Sequence, residues 1–448
     1  MASSSPALQK EGVADGTYAM TAKQRGLIAP ETFTRVTLKT MPTRLSQLVN
    51  FWTTLLGTVE VTTYQEERFV SIRLVNFTGY SKENEYRIDI FGDPNLKVST
   101  NDEKPGFPAV GVDHIAFTYA NFKDLASTVL RLKSKGIIPT LPINHGPTVS
   151  FYYTDPDGTK AELQIDVFDR ARDTEAMKDL FAGPFMENPI GVIIDPTKWA
   201  LEASKLSVTE ENHKIVTKYP EATKRDKKMV VGQRAFANML GGGKFPLSDG
   251  NLNRRIASIT IDNTIQKPEP KLIQNGISPR CMAHIVLRTV RPEKQIAFYK
   301  TVFNCLAAYE SKSATFITYD DEHHRFGIIV MPVANRSNAP GVSHCSYTFS
   351  SIQELYETYL RLANDLNEAI LPIHSNQMND WISLFYMDPD GNHVELTARL
   401  HNQYGNNDTA LDQWLSNNNA DIKYPLGETF DYERDWSKVL SSDMKSKM

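Results

Sequence analysis

The sequence predicts an α+β fold made of four tandem β-α-β-β-β modules, two per domain. Three observations predict it. The chain repeats itself, each repeat divides again at a β-rich run followed by an amphipathic helix, and a DPDG tetrad recurs between strand-like segments.

The repeat is carried by landmarks in one order. "FYYTDPDGTKAELQ" (151–164) matches "LFYMDPDGNHVELT" (384–397), and "GVDHIAFTYANFKDL" (111–125) matches "GVSHCSYTFSSIQEL" (341–355). "NPIGVIIDPTKW" (188–199) is echoed by "YPLGETFDYERDW" (424–436). Such spacing implies a tandem duplication. The expected layout is an N-terminal domain over 30–203, a connector over 204–278 and a C-terminal domain over 279–440.

Each unit opens with a short β-rich run: "RVTLKT", "DHIAFTY", "AHIVLRT" or "SHCSYTF". A helix pattern follows, clearest where Ile352, Leu355, Tyr356, Tyr359 and Leu360 recur at helical spacing. In DPDG, proline pre-sets the second position of a β-turn and glycine takes the fourth, so the tetrad joins two strands. The connector, with "ATKRDKK", "LGGGK" and "QKPEPK", reads as a charged bend. Its GGGK run lacks the spacing and the hydroxyl residue of a phosphate-binding loop.

With 448 residues, 41% of them hydrophobic and 23% charged, the chain can bury a core in every domain. Its 49 basic and 53 acidic residues leave a net charge of −4, which gives no drive toward nucleic acid or an anionic membrane. No run of about 18 apolar residues is present to span a bilayer. The polar "MASSSPALQKEGVADG" start lacks the apolar core of a secretory signal. Cys281, Cys305 and Cys345 show no CxxC spacing, which fits a reducing compartment. The expected location is cytoplasmic. The alternative is peroxisomal, because Ser446-Lys447-Met448 resembles the S-K-L address.

Three potential metal ligands occupy equivalent strand positions in the second copy. His284 and His344 each open a unit, and Glu395 follows the DPDG turn. Two imidazoles and a carboxylate suit Fe(II) and leave positions open for substrate and oxygen. The segment "FITYDDEHHRFGI" (316–328) adds adjacent His323 and His324. If the segment is a strand, the two rings point to opposite faces, one toward the metal cavity. A histidine there is a natural proton acceptor.

These residues make the chain resemble the vicinal-oxygen-chelate superfamily and, within it, the type I extradiol ring-cleaving dioxygenases. The resemblance covers about 300 of the 448 residues. It implies two incomplete β-barrels with metal ligands His284, His344 and Glu395, the last seven residues after Asp388. It also implies a catalytic histidine in an H-H pair, onto which His324 falls with His323 beside it. The implied cofactor is Fe(II), with Mn(II) as the alternative. The implied partners are a small aromatic diol and dioxygen, and association with a second copy is left open.

The first copy departs from that pattern. His114 and Glu162 remain, but Arg35 aligns with His284, and Asn84 and Glu85 stand where His323 and His324 stand. Arg35 is expected to pair with Glu162 and fill the metal's place, so this copy should bind no metal and His114→Ala should do little. The second copy departs too. A tyrosine usual in the resembled family, ten residues before the glutamate, is replaced by Phe385, whereas the first copy has Tyr152 there and keeps "NHGPT" (144–148). His374 is the expected substitute donor, and Phe316, Tyr319, Trp381 and Phe385 are expected apolar walls. Two other readings of the scaffold are a non-oxidative metal-dependent isomerase or lyase and a metal-free small-molecule binder.

Overall fold

The computed structural model describes residues 20–64, 69–75, 86–96, 111–167, 191–206, 270–331, 341–365, 369–378, 381–399 and 428–429. Asn84, Glu85, most of the 204–278 connector and the Ser446-Lys447-Met448 tail lie outside the described residues. Among the described residues, no helix is long and apolar enough to cross a membrane.

The four modules form where local chemistry dictates. The first has strands Thr32–Thr40, Val59–Tyr64, Phe69–Leu74 and Arg87–Gly92 around helix Leu45–Leu56. The second has strands Gly111–Thr118, Leu141–Asn144, Thr148–Thr154 and Lys160–Asp166 with helix Phe122–Ser134. The third has strands Cys281–Thr289, Leu306–Glu310, Ala314–Thr318 and Phe326–Val330 with helix Pro292–Phe303. The fourth has strands Gly341–Phe349, His374–Met378, Trp381–Met387 and His393–Arg399 with helix Ile352–Ala363.

Two of these helices start on capping residues. The Asn121 side chain accepts from the Asp124 amide, and that of Ser351 from the Glu354 amide, which satisfies amides the helix leaves unpaired. Arg131 donates to the carbonyls of Thr54 and Leu55 at the end of the first-module helix. Arg361 repeats the device on Thr301 and Val302. Cations suit helix C-termini because the last carbonyls lack partners there.

Both DPDG tetrads are β-turns between the strands expected. The Gly158 amide donates to the Asp155 carbonyl at 3.0 Å, and the Gly391 amide to the Asp388 carbonyl at 2.9 Å. Both glycines take positive φ, 92° and 85°, which costs them little because they lack a Cβ. Each turn docks on the helix of the preceding module. Trp52 donates from Nε1 to Asp155 at 3.2 Å, and the Tyr299 hydroxyl to Asp388 at 3.1 Å.

In every module the leading strand pairs in parallel with the last strand, and the helix returns the chain between them. Between modules the pairing crosses the copies. Thr32–Thr40 runs antiparallel to Gly341–Phe349, and Gly111–Thr118 antiparallel to Cys281–Thr289. The first and fourth modules therefore build a ten-stranded sheet, with Lys271–Ile273 and Glu428–Thr429 at its edges. The second and third build a nine-stranded sheet that ends at Val192–Ile193. Both sheets are open, as incomplete barrels. Residues 30–203 and 279–440 each contribute strands to both, so neither segment owns a sheet.

One continuous core joins all four modules. Phe33 stacks on Tyr347 at 5.0 Å, and Phe303 meets Tyr347 edge-on at 4.7 Å. Core packing is close where Gly327 pairs with Val286. A Cβ at 327 would sit 2.7 Å from Val286 Cγ2 and 3.4 Å from the Phe316 ring. Gly327→Ala should destabilise the fold by about 1–3 kcal/mol through overpacking. Urea denaturation should show this loss, and adding Val286→Ala should recover part of it.

Candidate metal centre

Cross-copy pairing decides which donors meet. Register slips twice between Gly111–Thr118 and Cys281–Thr289, once between Met282 and Ile285 and once between Val286 and Leu287. Such bulges re-aim side chains. His284 lies in the first of them, beside the parallel pair of Gly111–Thr118 with Lys160–Asp166 that carries His114 and Glu162.

The result is a compact donor set. Glu162 Oε2 lies 3.1 Å from His114 Nε2 and 3.1 Å from His284 Nε2, and all three residues are buried. Divalent ions with bonds of about 2.0–2.2 Å hold neighbouring ligand atoms about 3 Å apart, so this set fits such an ion. His284 Nδ1 and His324 Nε2 are buried without a hydrogen-bond partner among the described residues, as expected of a polar pocket with room for a further group.

His323 and His324 border the set. The His284 ring centroid is 4.0 Å from that of His324 and 5.3 Å from that of His323. The two residues do not lie on a strand. The strands end at Thr318 and resume at Phe326, and the intervening run bends. Strict alternation therefore does not apply, and both rings stay near His284. His323 is gripped by Glu322 at 2.6 Å and Asp166 at 3.4 Å, and Phe316 stacks on His324 at 4.6 Å.

Tyr152 closes another side. Its ring meets that of His114 edge-on at 5.1 Å, and its hydroxyl lies 3.1 Å from His145 Nε2. The spacing from Tyr152 to Glu162 was the available signal for this site, and His145 lies in the "NHGPT" run.

Burial and charge set the protonation states. Burial would raise the Glu162 carboxyl, but hydrogen bonds from His114 and His284 hold it well below the usual range. Burial lowers His284. It also pushes His324 well down, with neighbouring His284 and His323 adding to the effect. Both rings are thus neutral near pH 7, the form that ligates or accepts a proton. Burial acts against a charge on His323, yet Glu322 and Asp166 lift it to about 9. Burial, then the Glu162 charge, keep Tyr152 a protonated donor.

The ten-stranded sheet holds the other expected ligands. His284 is not brought to His344 and Glu395, because their modules pair in different sheets. Arg35 instead donates to Glu395, and its Nε to Ser346 Oγ at 3.0 Å. His344 Nε2 lies 3.4 Å from Glu395 Oε2 and 2.9 Å from Thr37 Oγ1. The guanidinium pairs with Glu395 rather than with Glu162. His374 and Phe385 belong to this cluster: their rings stack at 5.0 Å, and Phe385 meets His344 at 5.4 Å. Trp381 lies under Arg399 in the same sheet. Tyr319 is buried in the core beside Phe303. Of the expected walls, Phe316 lies against His324, which in turn borders His284.

Residues 41–163 match the model of the Glyoxalase/Bleomycin resistance protein/Dioxygenase superfamily. Biphenyl-2,3-diol 1,2-dioxygenase 2 of Rhodococcus globerulus is 39% identical over 117 residues, which are 25% of this chain and 60% of that protein. Biphenyl-2,3-diol 1,2-dioxygenase 3 of the same organism is 38% identical over 128 residues, 29% of this chain and 64% of that one. The chain thus spans less than two thirds of the length of these curated relatives. Glyoxalase I from Zea mays overlies 82% of this chain and 92% of its own, with a TM-score of 0.41 and 13% identity.

Replacing Arg35 tests the second cluster. Burial would raise the Glu395 carboxyl, but Arg35 and then His344 hold it well below the usual range. A depressed acid contributes stability above its unfolded pKa of about 4.3, and loses it as the pH falls. Arg35→Met leaves Glu395 without its cation, which should cost about 3–5 kcal/mol at pH 7. The cost should shrink toward pH 4 in urea unfolding as Glu395 takes up a proton.

Proposed function

We propose that this chain, which carries a domain of the Glyoxalase/Bleomycin resistance protein/Dioxygenase superfamily, is an Fe(II)-dependent dioxygenase that opens the ring of a catechol-like substrate. Its centre is composed of His114 and Glu162 from one copy and His284 from the other. Mn(II) is the alternative ion. One observation carries the reading: two imidazoles and an ionised carboxylate meet at 3.1 Å. That donor set leaves coordination positions open. The names of the two Rhodococcus relatives, both dioxygenases of an aromatic diol, support the substrate class.

When bound, the metal would act as a Lewis acid, lower the pKa of a ligated hydroxyl and hold substrate and oxygen together. The protein's own groups do the rest. His324 is neutral and beside His284, so it accepts the substrate's second hydroxyl proton. Phe316, stacked on that ring, fixes its plane. Tyr152 keeps its proton and donates a hydrogen bond to a substrate oxygen, with His145 orienting the hydroxyl. His323, held between Glu322 and Asp166, anchors the bend that presents His324. Burial of His324 and Tyr152 excludes water from both and strengthens their interactions.

Anaerobic loading with Fe(II), followed by oxygen-uptake assays on a panel of catechols, tests the reading. One dioxygen should be consumed per diol, with a new visible-absorbing product. Turnover without oxygen would overturn it in favour of an isomerase or lyase. His114→Ala, Glu162→Ala and His284→Ala should each abolish stoichiometric metal binding, whereas His344→Ala should retain it. His324→Ala should bind metal normally and lower kcat by about 10²–10⁴-fold.

A further inference from the structure

Neighbouring residues on a strand point to opposite faces, so Asp113 and His114 should not touch. They do. His114 pairs with Val286 and Val112 with Leu287, which makes Asp113 the extra residue of a β-bulge. Asp113 Oδ2 lies 2.8 Å from His114 Nδ1. Its other oxygen is held from two sides. Arg288 Nη1 reaches it at 3.0 Å from the opposite copy, and Lys160 Nζ at 3.5 Å from the strand that carries Glu162. Asp113 is 4% exposed, so this grip operates away from water.

The second sheet supplies an internal comparison. It has the same bulge, with His344 on Thr37 and Val342 on Leu38, but the extra residue is Ser343. Ser343 Oγ stands 3.4 Å from His344 Nδ1. Lys39 and His393 occupy the positions of Arg288 and Lys160. A charged acceptor behind the histidine thus accompanies the cluster with a metal donor set, and a hydroxyl accompanies the cluster filled by Arg35.

We propose that Asp113 is a positioning residue of the metal centre, which holds His114 with its proton on Nδ1 and its Nε2 lone pair directed to the ion. A carboxylate behind a ligating imidazole fixes its tautomer and orientation and raises its basicity. Arg288 makes this positioning depend on both copies. The proposal rests on the metal-centre reading above.

Co(II) titration of the full-length protein, followed by visible absorption, tests it. Asp113→Ala should weaken Co(II) binding about 10–100-fold and shift the visible bands. Asp113→Asn keeps an acceptor oxygen for Nδ1–H and should recover at least part of the affinity. Binding within twofold of the parent in both variants would overturn the proposal. An equal loss in both with unshifted bands would mark a structural role and also overturn it. His284→Ala is the control that separates the two failures. If that variant binds Co(II) as the parent does, the centre itself falls and Asp113 has nothing to position.

Discussion

The antiparallel pairing of Gly111–Thr118 with Cys281–Thr289 is the constraint on which the site depends. Glu162 stands on the strand beside the former, and His284 is on the latter. Without that ladder the two donors belong to separate parts of the chain, 122 positions apart. The bulges in the same ladder then place His284 and Asp113 where regular alternation would not. One set of backbone hydrogen bonds therefore governs which donors meet, how His284 is aimed and how Asp113 comes to face His114.

A buried carboxylate must be compensated, because its desolvation is costly when unpaired. The molecule meets that demand in two ways at equivalent positions. Glu162 faces two imidazoles with no guanidinium beside it among the described residues. Glu395 faces one imidazole and the Arg35 guanidinium, which completes the set with no ion. Guanidinium is suited to this because its charge is permanent and its donors are planar. The exchange of a histidine for an arginine at one strand position thus separates a cluster built around a carboxylate–guanidinium pair from one built around a carboxylate and two imidazoles.

The modules were legible because their signals are local. Helical spacing, capping residues and the DPDG turn are each decided within a few residues, and the observed turns join the strands as read. The types of donor and their strand positions were legible for the same reason. Their grouping was not. The four leading strands share one β-rich pattern, and nothing within "RVTLKT", "DHIAFTY", "AHIVLRT" or "SHCSYTF" specifies which pairs with which. Long-range pairing is settled by the packing of the whole chain. A trace of it was present in the sequence: Tyr152 stands ten residues before Glu162, whereas Glu395 has Phe385 there, and His145 accompanies Tyr152 in space. His323 and His324 do not alternate as on a strand because Asp320–Arg325, opened by two aspartates that favour turns, bends between two strands.

Because each sheet takes one module from either half, the chain has the architecture of a dimer fused head to tail. Neither half contains the whole His114–Glu162–His284 cluster, and covalent linkage keeps the complementary half at high effective concentration. Severing the backbone between Leu206 and Pro270 would leave two fragments that must find each other as subunits do, with the His114–Glu162–His284 cluster re-forming as a second-order process in their concentrations.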